Sequence, residues 1–293
     1  MEYTTLGRTG RRVSRIGFGG ATAGIRNYVH PYDPENPDDR QPIVEAIRAA
    51  YASGINYFDT AAGYGDGVSE RIFGEGLRGI DPAAVFLASK VAPAPPDKVR
   101  ASLERSLANL QREYIDLIQI HGSCYRAEQA DRVLAKGGVL DTLMAAKDEG
   151  LVRHVGFSIE CQNEALYRFL ATDCFDVVQI EYNLLFQHPY DPFFKSGSLY
   201  DLEERGVGIA AMRTATSGIF QKWVKLVNPG DTFNYNPALI QFVLSSPFVD
   251  VALLGMRSAA RVAENVAICD DLSGRIDIEE LHVRVAEPGA DRE

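Results

Sequence analysis

Three short apolar segments of the chain each run into an ionisable side chain that can accept or donate a proton, namely Asp59, Lys90 and His121. Both intervals between them are 31 residues, about the length of one strand–helix–strand unit. A phenol, Tyr64, follows Asp59 in a glycine-flanked turn. If the three segments are parallel strands of one barrel, their carboxyl ends meet at its mouth, where all four side chains can lie together. Proton transfer is the chemistry that these residue types predict.

The elements that must position these residues alternate along the chain. A β-hairpin is predicted over residues 3–14. Eight apolar strands are predicted after it, at 15–18, 55–59, 85–90, 115–121, 155–158, 177–182, 207–212 and 249–254. Helices are predicted between and after them, at 42–53, 69–78, 97–110, 139–149, 163–171, 192–205 and 258–268.

Strands that are apolar throughout and are followed by helices predict an α/β fold, a (β/α)8 TIM barrel whose bottom the N-terminal hairpin closes. An open doubly wound sheet is the alternative, but the glycines at 17–20 lack the GxGxxG pattern that such sheets usually carry. Because a barrel of this size is one domain, residues 1–293 are predicted to form a single domain. A disordered tail is expected from about residue 286.

The composition of the chain limits the classes of partner that we expect. The formal net charge of −10 argues against nucleic acid as a partner. The chain has no secretory signal and no stretch near the roughly 20 apolar residues of a membrane helix, so we expect a cytoplasmic protein without a membrane partner. The cysteines form no CxxC pair and no metal-like spacing with the histidines, which predicts buried free thiols and no metal site. They are Cys124, Cys161, Cys174 and Cys269.

The segments FDTAAGYG, ASK and IQIHG, in this order and in register with the predicted strands, resemble the aldo-keto reductase superfamily. The resemblance extends from the hairpin to Glu264 and Asn265. It implies a TIM barrel, a nicotinamide cofactor that carries a hydride, and a protein that supplies position and a proton. It also implies a catalytic tetrad made of Asp59, Tyr64, Lys90 and His121.

Each member of this tetrad has an implied role and an ordinary structural alternative. Tyr64 exchanges a proton with the substrate oxygen, and Lys90, held by Asp59, lowers the pKa of that phenol. His121 donates a hydrogen bond to the carbonyl oxygen. The alternatives are a helix cap for Asp59, a strand-end side chain that reaches to solvent for Lys90, a loop aromatic for Tyr64 and a core histidine for His121.

The resemblance also places the cofactor along the later strand ends. Ser158 and Gln179 are expected at the nicotinamide carboxamide, although Ile159 stands where the family often has Asn. Met212 replaces an aromatic residue and packs on the ring through its thioether. Three further residues are expected along the path of the pyrophosphate, Arg213, Ser217 and Gly218.

The segment from Leu254 to Ser258 and the helix after it resemble the family's adenosine-end motif. Guanidinium groups near a helix N-terminus suit a 2′-phosphate, which favours NADPH over NADH. NADH remains the alternative. The residues assigned to this end are Gly255, Arg257, Ser258, Arg261, Glu264 and Asn265.

Two long segments, 21–40 and 213–236, follow predicted strand ends and are expected to overhang the mouth. Aromatic residues of the mouth loops are predicted to form a rim for a small carbonyl or alcohol substrate, namely Tyr28, Tyr32, Tyr125, Phe186, Trp223 and Phe233. The predicted activity is reduction of aldehydes, ketones or sugars with NADPH, by a monomer or small homo-oligomer. The alternatives are an NAD-dependent sugar or alcohol dehydrogenase and a non-enzymatic, cofactor-binding regulatory subunit.

Overall fold

The computed structural model describes residues 1–191 and 194–278, so the tail predicted from about residue 286 lies outside the described residues. The strands are β1 Tyr3–Thr5, β2 Arg12–Ser14, β3 Ile16–Gly19, β4 Tyr57–Asp59, β5 Phe86–Val91, β6 Ile115–Ile120, β7 Val152–Ile159, β8 Val177–Glu181, β9 Gly208–Met212 and β10 Val251–Gly255. The α-helices are α1 Ala21–Gly24, α2 Pro37–Ala52, α3 Val68–Gly76, α4 Pro96–Leu110, α5 Ala127–Leu134, α6 Val139–Asp148, α7 Glu164–Leu170, α8 Ser198–Glu204, α9 Ile219–Val227, α10 Asn236–Leu244 and α11 Ala259–Asp270.

Strands β3 to β10 form a closed barrel in which each strand is parallel to its neighbours and β10 pairs with β3. This confirms the predicted TIM barrel and excludes the open sheet. The strands are buried almost throughout because helices cover the outside and side chains fill the interior.

The N-terminal hairpin closes the bottom of the barrel, as predicted. β1 and β2 pair antiparallel, and Leu6 and Val13 are fully buried in one apolar cluster with interior residues of the barrel. Gly7 lies so close to β9 that a Cβ there would be 2.2 Å from the backbone nitrogen of Gly208. Together with its φ of +40°, this contact restricts the position to glycine.

The side chains inside the barrel change from apolar to polar between one inward-facing position of a strand and the next, which lies two residues further along. Side chains that share a layer come from alternate strands. On the even-numbered strands β4, β6 and β8, the lower layer is Tyr57, Leu117 and Val177, and the layer above it is Asp59, Gln119 and Gln179. On the odd-numbered strands β5, β7 and β9, small residues lie two positions before Lys90, Ser158 and Met212. The polar layer therefore lies at the mouth.

The sequence predicts no helix at the positions of α1, α5 and α9. Helix α2 begins at residue 37 rather than 42, because Pro37 occupies its first position and the side chain of Asn36 accepts a hydrogen bond from the Asp38 amide at 3.1 Å. Helix α8 spans only the second half of the predicted 192–205, of which 192 and 193 lie outside the described residues.

Candidate active site at the barrel mouth

A buried ion pair lies at the centre of the mouth. The Lys90 ammonium donates to both carboxylate oxygens of Asp59, at 2.7 and 2.6 Å, and to the carbonyl oxygen of Thr60 at 2.8 Å. All three donor hydrogens of the ammonium therefore have acceptors, which is the condition for holding a charge away from water. Burial raises the pKa of Asp59 and lowers the pKa of Lys90, and the ion pair opposes both shifts.

Tyr64 and His121 lie directly beside this pair. The Lys90 nitrogen is 5.2 Å from the centroid of the Tyr64 ring, and the His121 ring meets the Tyr64 ring edge-on at 5.5 Å between centroids. The turn that holds Tyr64 needs Gly65, whose φ is +67° and whose Cβ would lie 2.2 Å from the Gly24 carbonyl oxygen. The structure thus brings together all four residues of the predicted tetrad.

The protonation states of these two rings follow from burial. Burial, with the negative charge of Asp59 adding to it, raises the pKa of Tyr64 well above its ordinary value. This direction is opposite to the lowering predicted from Lys90, because burial is the largest effect on the pKa of this phenol. Burial, followed by the positive charge of Lys90, lowers the pKa of His121 to about 4. At neutral pH the site therefore holds a protonated phenol and a neutral imidazole.

Gln119 extends the ion pair across the barrel and was not among the predicted site residues. Its amide nitrogen donates to Asp59 at 3.2 Å and to the side-chain oxygen of Gln179 at 3.0 Å. Gln179 in turn donates to the Met212 sulfur at 3.7 Å, so these two predicted cofactor residues are adjacent. The missed signal was strand parity, since Gln119 lies two residues before His121 and shares its side of the strand.

Ser158 joins two loops of the mouth. Its hydroxyl donates to the carbonyl oxygen of Gly122 at 2.9 Å and accepts from the amide of Gly122 at 3.1 Å. Ser158 pairs in register with Gln179 on the next strand, so the two predicted carboxamide partners are neighbours. The serine hydroxyl is engaged by the segment that directly follows His121.

Arg213 is held by two carboxylates that sequence reasoning did not identify. Its guanidinium donates to Glu160 at 2.8 Å and lies 3.5 Å from Glu181. The backbone of Arg213 is left-handed, with φ of +58°, which turns the chain sharply after β9. Arg213 directly follows the end of β9 and Glu160 directly follows the end of β7, so this cluster lies at the barrel mouth.

The predicted adenosine end forms around the start of α11. Arg257 donates to the Thr22 carbonyl oxygen at 3.0 Å and its guanidinium carbon lies 4.3 Å from the Tyr32 ring centroid. Its Nη2 is buried and has no hydrogen-bond partner among the described residues. Ser258 caps α11 by accepting from the amide of Arg261 at 3.3 Å.

The other residues assigned to this end have protein partners. Arg261 forms an ion pair with Glu264, one turn along α11, and Asn265 is buried on the core side of that helix. A Cβ at Gly255 would lie 2.7 Å from the Thr22 side chain, so any larger residue here would push against α1.

Ser217 and Gly218 lie in a tight turn that leads into α9. Both have positive φ, 50° and 77°. The Ser217 hydroxyl lies 3.4 Å from the Tyr28 hydroxyl, so the long segment after β3 meets the segment after β9 above the mouth, as predicted.

The predicted aromatic rim is corrected at two positions. Tyr32 and Tyr125 are buried, and their hydroxyls donate to the carbonyl oxygens of Ala23 at 2.6 Å and Ile120 at 2.8 Å. They belong to the packed interior because these backbone acceptors allow a phenol to be buried. The remaining four aromatic residues are exposed, namely Tyr28, Phe186, Trp223 and Phe233.

The prediction of four free thiols is also wrong. Cys124 and Cys161 form a disulfide with a Cα–Cα distance of 5.1 Å, while Cys174 and Cys269 are free. The two partners lie just beyond the ends of neighbouring strands, a proximity that only the assembled barrel reveals. In the part of the chain that the structure describes, no helix could cross a membrane and no group of side chains could hold a metal ion.

Comparisons with known proteins agree with this geometry. Residues 15–239 match the Aldo/keto reductase family. The chain is 25% identical over 309 residues to an L-galactose dehydrogenase of Arabidopsis thaliana, covering 93% of this chain and 89% of that protein. It is 31% identical over 195 residues to the aldo-keto reductase YhdN of Bacillus subtilis, covering 63% of this chain and 54% of that protein.

A solved structure shows the same fold. The aldo-keto reductase from Klebsiella pneumoniae in complex with NADPH superposes with a TM-score of 0.72 at 24% identity, covering 96% of this chain and 94% of that one. The family match spans well over half of the sequence. The chain therefore belongs to the aldo/keto reductase family, and it is an NAD(P)-dependent oxidoreductase.

Proposed function

We propose that the protein reduces the carbonyl group of a small aldehyde, ketone or sugar with NADPH, and that Tyr64 is its proton donor. The observation that carries the proposal is the buried Lys90–Asp59 pair beneath the Tyr64 ring, with His121 at the ring edge. The proposal includes a cytoplasmic monomer or small homo-oligomer, and the net charge of −10 suits a soluble small-molecule enzyme.

The residues at the mouth fit a nicotinamide cofactor with a 2′-phosphate. The Arg257 Nη2 group is a buried donor without a partner among the described residues, and an anion would satisfy it. Gln179 and Met212 present an amide and a thioether to the mouth, where they would contact the nicotinamide. NADPH, when bound, supplies the hydride. Arg261, already paired with Glu264, would contribute less than Arg257.

The side chains supply the proton and the orientation. Tyr64 keeps its proton at neutral pH because burial raises the pKa of the phenol. When negative charge develops on the substrate oxygen, that proton moves to it, and the nearby Lys90 ammonium stabilises the resulting phenolate. His121 is neutral at this pH, so one ring nitrogen can donate a hydrogen bond to the substrate oxygen.

The replacement Tyr64→Phe tests this proposal, because it removes the proton and leaves the ring. We expect NADPH oxidation with nitrobenzaldehyde or glyceraldehyde to fall by about a hundredfold or more, with NADPH affinity almost unchanged. Tyr167→Phe, on the exposed side of α7, is the matched control and should behave as the unmodified protein. Retention of most of kcat in Tyr64→Phe would refute the role of Tyr64.

A second candidate is the same site acting as a sugar dehydrogenase. Two observations favour it: the carboxylates of Glu160 and Glu181 lie at the mouth and can accept sugar hydroxyls, and the relative that aligns with 93% of the chain is named an L-galactose dehydrogenase. Reduction of NAD⁺ or NADP⁺ in the presence of a panel of aldoses, L-galactose included, would support this direction. Turnover confined to carbonyl reduction would oppose it.

A further inference from the structure

A disulfide joins the two loops that leave β6 and β7 at the barrel mouth. Cys124 lies three residues after His121, and Cys161 lies three residues after Ser158, with 5.1 Å between the two Cα atoms. The same loops also meet through their backbones, since the Glu160 amide donates to the Ser123 carbonyl oxygen at 2.7 Å. The disulfide therefore links two loops that already contact each other at the barrel mouth.

The bond is linked to the site through short connections. Cys161 directly follows Glu160, whose carboxylate accepts from Arg213, and the charges of both act on Tyr64. On the other loop, Gly122 lies between His121 and the cysteine and holds the Ser158 hydroxyl. A change in the separation of the two loops would move groups around the phenol.

The two bonded cysteines are also accessible, in contrast to Cys269. Cys124 is exposed and Cys161 is partly exposed, whereas Cys269 is buried. Cys174 is partly exposed but lies before β8, at the opposite end of the barrel. Small thiols in solution can therefore reach the pair at the mouth.

We propose that Cys124 and Cys161 are a reversible thiol–disulfide site for low-molecular-weight thiols and disulfides of the glutathione class. The oxidised form holds the loops that carry His121 and Glu160, and the reduced form releases them. In a reducing compartment such an accessible bond opens and closes with the thiol pool rather than serving as a permanent crosslink. This site goes beyond the proposed function, and only its kinetic consequence rests on it.

The exchange proceeds in two balanced steps. The thiolate of one cysteine attacks a sulfur of oxidised glutathione, forms a mixed disulfide and expels one glutathione thiolate. The second cysteine, as thiolate, attacks the protein sulfur of that mixed disulfide, forms the Cys124–Cys161 bond and expels the second glutathione thiolate. Two electrons pass from the protein sulfurs to oxidised glutathione, and the two thiol protons are released to solvent and the product thiols.

Mass spectrometry of the full chain tests the site itself. The protein is reduced with dithiothreitol, incubated with mixtures of reduced and oxidised glutathione, alkylated and digested. We expect a peptide pair linked through Cys124 and Cys161 that accumulates with oxidised glutathione and disappears on reduction, while Cys174 stays free to react. Absence of the linked pair at every ratio would overturn the proposal, as would a pair that strong reductant cannot open in the folded protein.

Kinetics test whether the site acts on the mouth. We expect kcat/KM for nitrobenzaldehyde to be about tenfold lower in the reduced protein, because small displacements of site groups have large effects on rate. The variant C124S/C161S should remain at the reduced value under both conditions, and the control C174S should respond as the unmodified protein does. Equal kcat/KM in both redox forms would overturn the regulatory role. If neither form turns over while the linked peptide still forms reversibly, the proposed function fails and the redox site stands.

Discussion

The two ends of the barrel each hold a carboxylate paired with a lysine, and the two behave differently. At the bottom, Asp176 lies within 3.0 Å of Lys147 and 3.5 Å of His154, and it accepts from the Val155 amide at 3.1 Å. Burial alone would raise the pKa of Asp176, but these hydrogen bonds outweigh burial and lower the pKa to about 2. At the mouth, burial prevails and raises the pKa of Asp59 despite Lys90.

This difference distinguishes a carboxylate that stabilises the fold, Asp176, from one that belongs to the proposed active site, Asp59. Asp176 gains more from its partners than it loses by burial, so its charge contributes to the folded state. The charges of Asp59 and Lys90 are less fully compensated, and such groups respond to whatever enters the site. The apolar layer containing Leu117, together with the hairpin, keeps the two ends apart.

The largest difference between the two ends should appear when Asp59 and Asp176 are each replaced by asparagine. We expect Asp59→Asn to lower kcat/KM by about a hundredfold to ten-thousandfold, because Lys90 then has no anion to hold it beneath Tyr64. Asp176→Asn should leave kcat/KM nearly unchanged but lower the free energy of unfolding by about 2 kcal/mol at pH 7. Steady-state kinetics and urea unfolding of both variants check this. Equal losses of kcat/KM in the two variants would contradict the distinction between the carboxylates at the mouth and at the bottom.

A smaller effect is expected at the adenosine end of the mouth. Arg257→Ala should raise KM for NADPH by about tenfold to a hundredfold, the value of one or two charged hydrogen bonds, and change KM for NADH little. Arg261→Ala is the matched control, with a weaker effect because Glu264 already pairs with that arginine. Parallel changes in KM for both cofactors would contradict the assignment of a 2′-phosphate to Arg257.

As the pH falls, the stability that depends on histidines at the mouth should be lost before the stability that depends on Asp176 at the bottom. Burial lowers the pKa values of His121 and His188 to about 4, from an ordinary 6.5, so the unfolded chain binds more protons than the folded one between these values. The free energy of unfolding should therefore fall as pH drops from about 6.5 to 4, by about 1–2 kcal/mol per histidine between pH 7 and 5.

The contribution of Asp176 should be lost at lower pH, as the pH falls through about 4, where its carboxylate is half protonated in the unfolded chain, towards about 2. Urea unfolding at pH 7 and pH 5 measures the acid sensitivity, and His188→Gln should reduce it by its own share. An unchanged pH dependence in that variant would show that His188 is not held neutral.

The smallest effect should come from Gln119, which touches the ion pair without carrying charge. Gln119→Leu removes its hydrogen bond to Asp59 and should lower kcat/KM about fivefold, equivalent to roughly 1 kcal/mol. Stability should change little, because the same replacement removes a side-chain oxygen that is buried without a partner among the described residues. A large loss of stability with normal kinetics would make Gln119 a residue of the core.

The barrel and the grouping of the tetrad were predictable from sequence because both follow from regular periods. The 31-residue interval fixes equivalent positions on successive strands, so Asp59 and Lys90 had to end on one rim. Gln119 was within reach of the same logic, since it lies 60 residues from both Asp59 and Gln179 on alternate strands. Residues placed by strand parity could therefore be assigned.

Residues whose positions depend on loop packing could not be assigned from the sequence. Tyr32 and Tyr125 read as rim aromatics, but backbone carbonyl groups allow their phenols to be buried. The pairing of Cys124 with Cys161 depends on the two cysteines lying just past the ends of neighbouring strands, four residues after β6 and two after β7, which becomes visible only when the strand ends are known. The two carboxylates around Arg213 likewise depend on a left-handed backbone that the sequence does not specify.

Transfer of the hydride from cofactor to substrate can be followed with an isotope label. The protein is incubated with NADPH deuterated at the transferable position of its nicotinamide and with nitrobenzaldehyde, and the alcohol is analysed by mass spectrometry. We expect one deuterium on the carbinol carbon with the unmodified protein and with Tyr167→Phe, and almost no product with Tyr64→Phe. Deuterated alcohol formed equally fast by Tyr64→Phe would show that Tyr64 is not the proton donor.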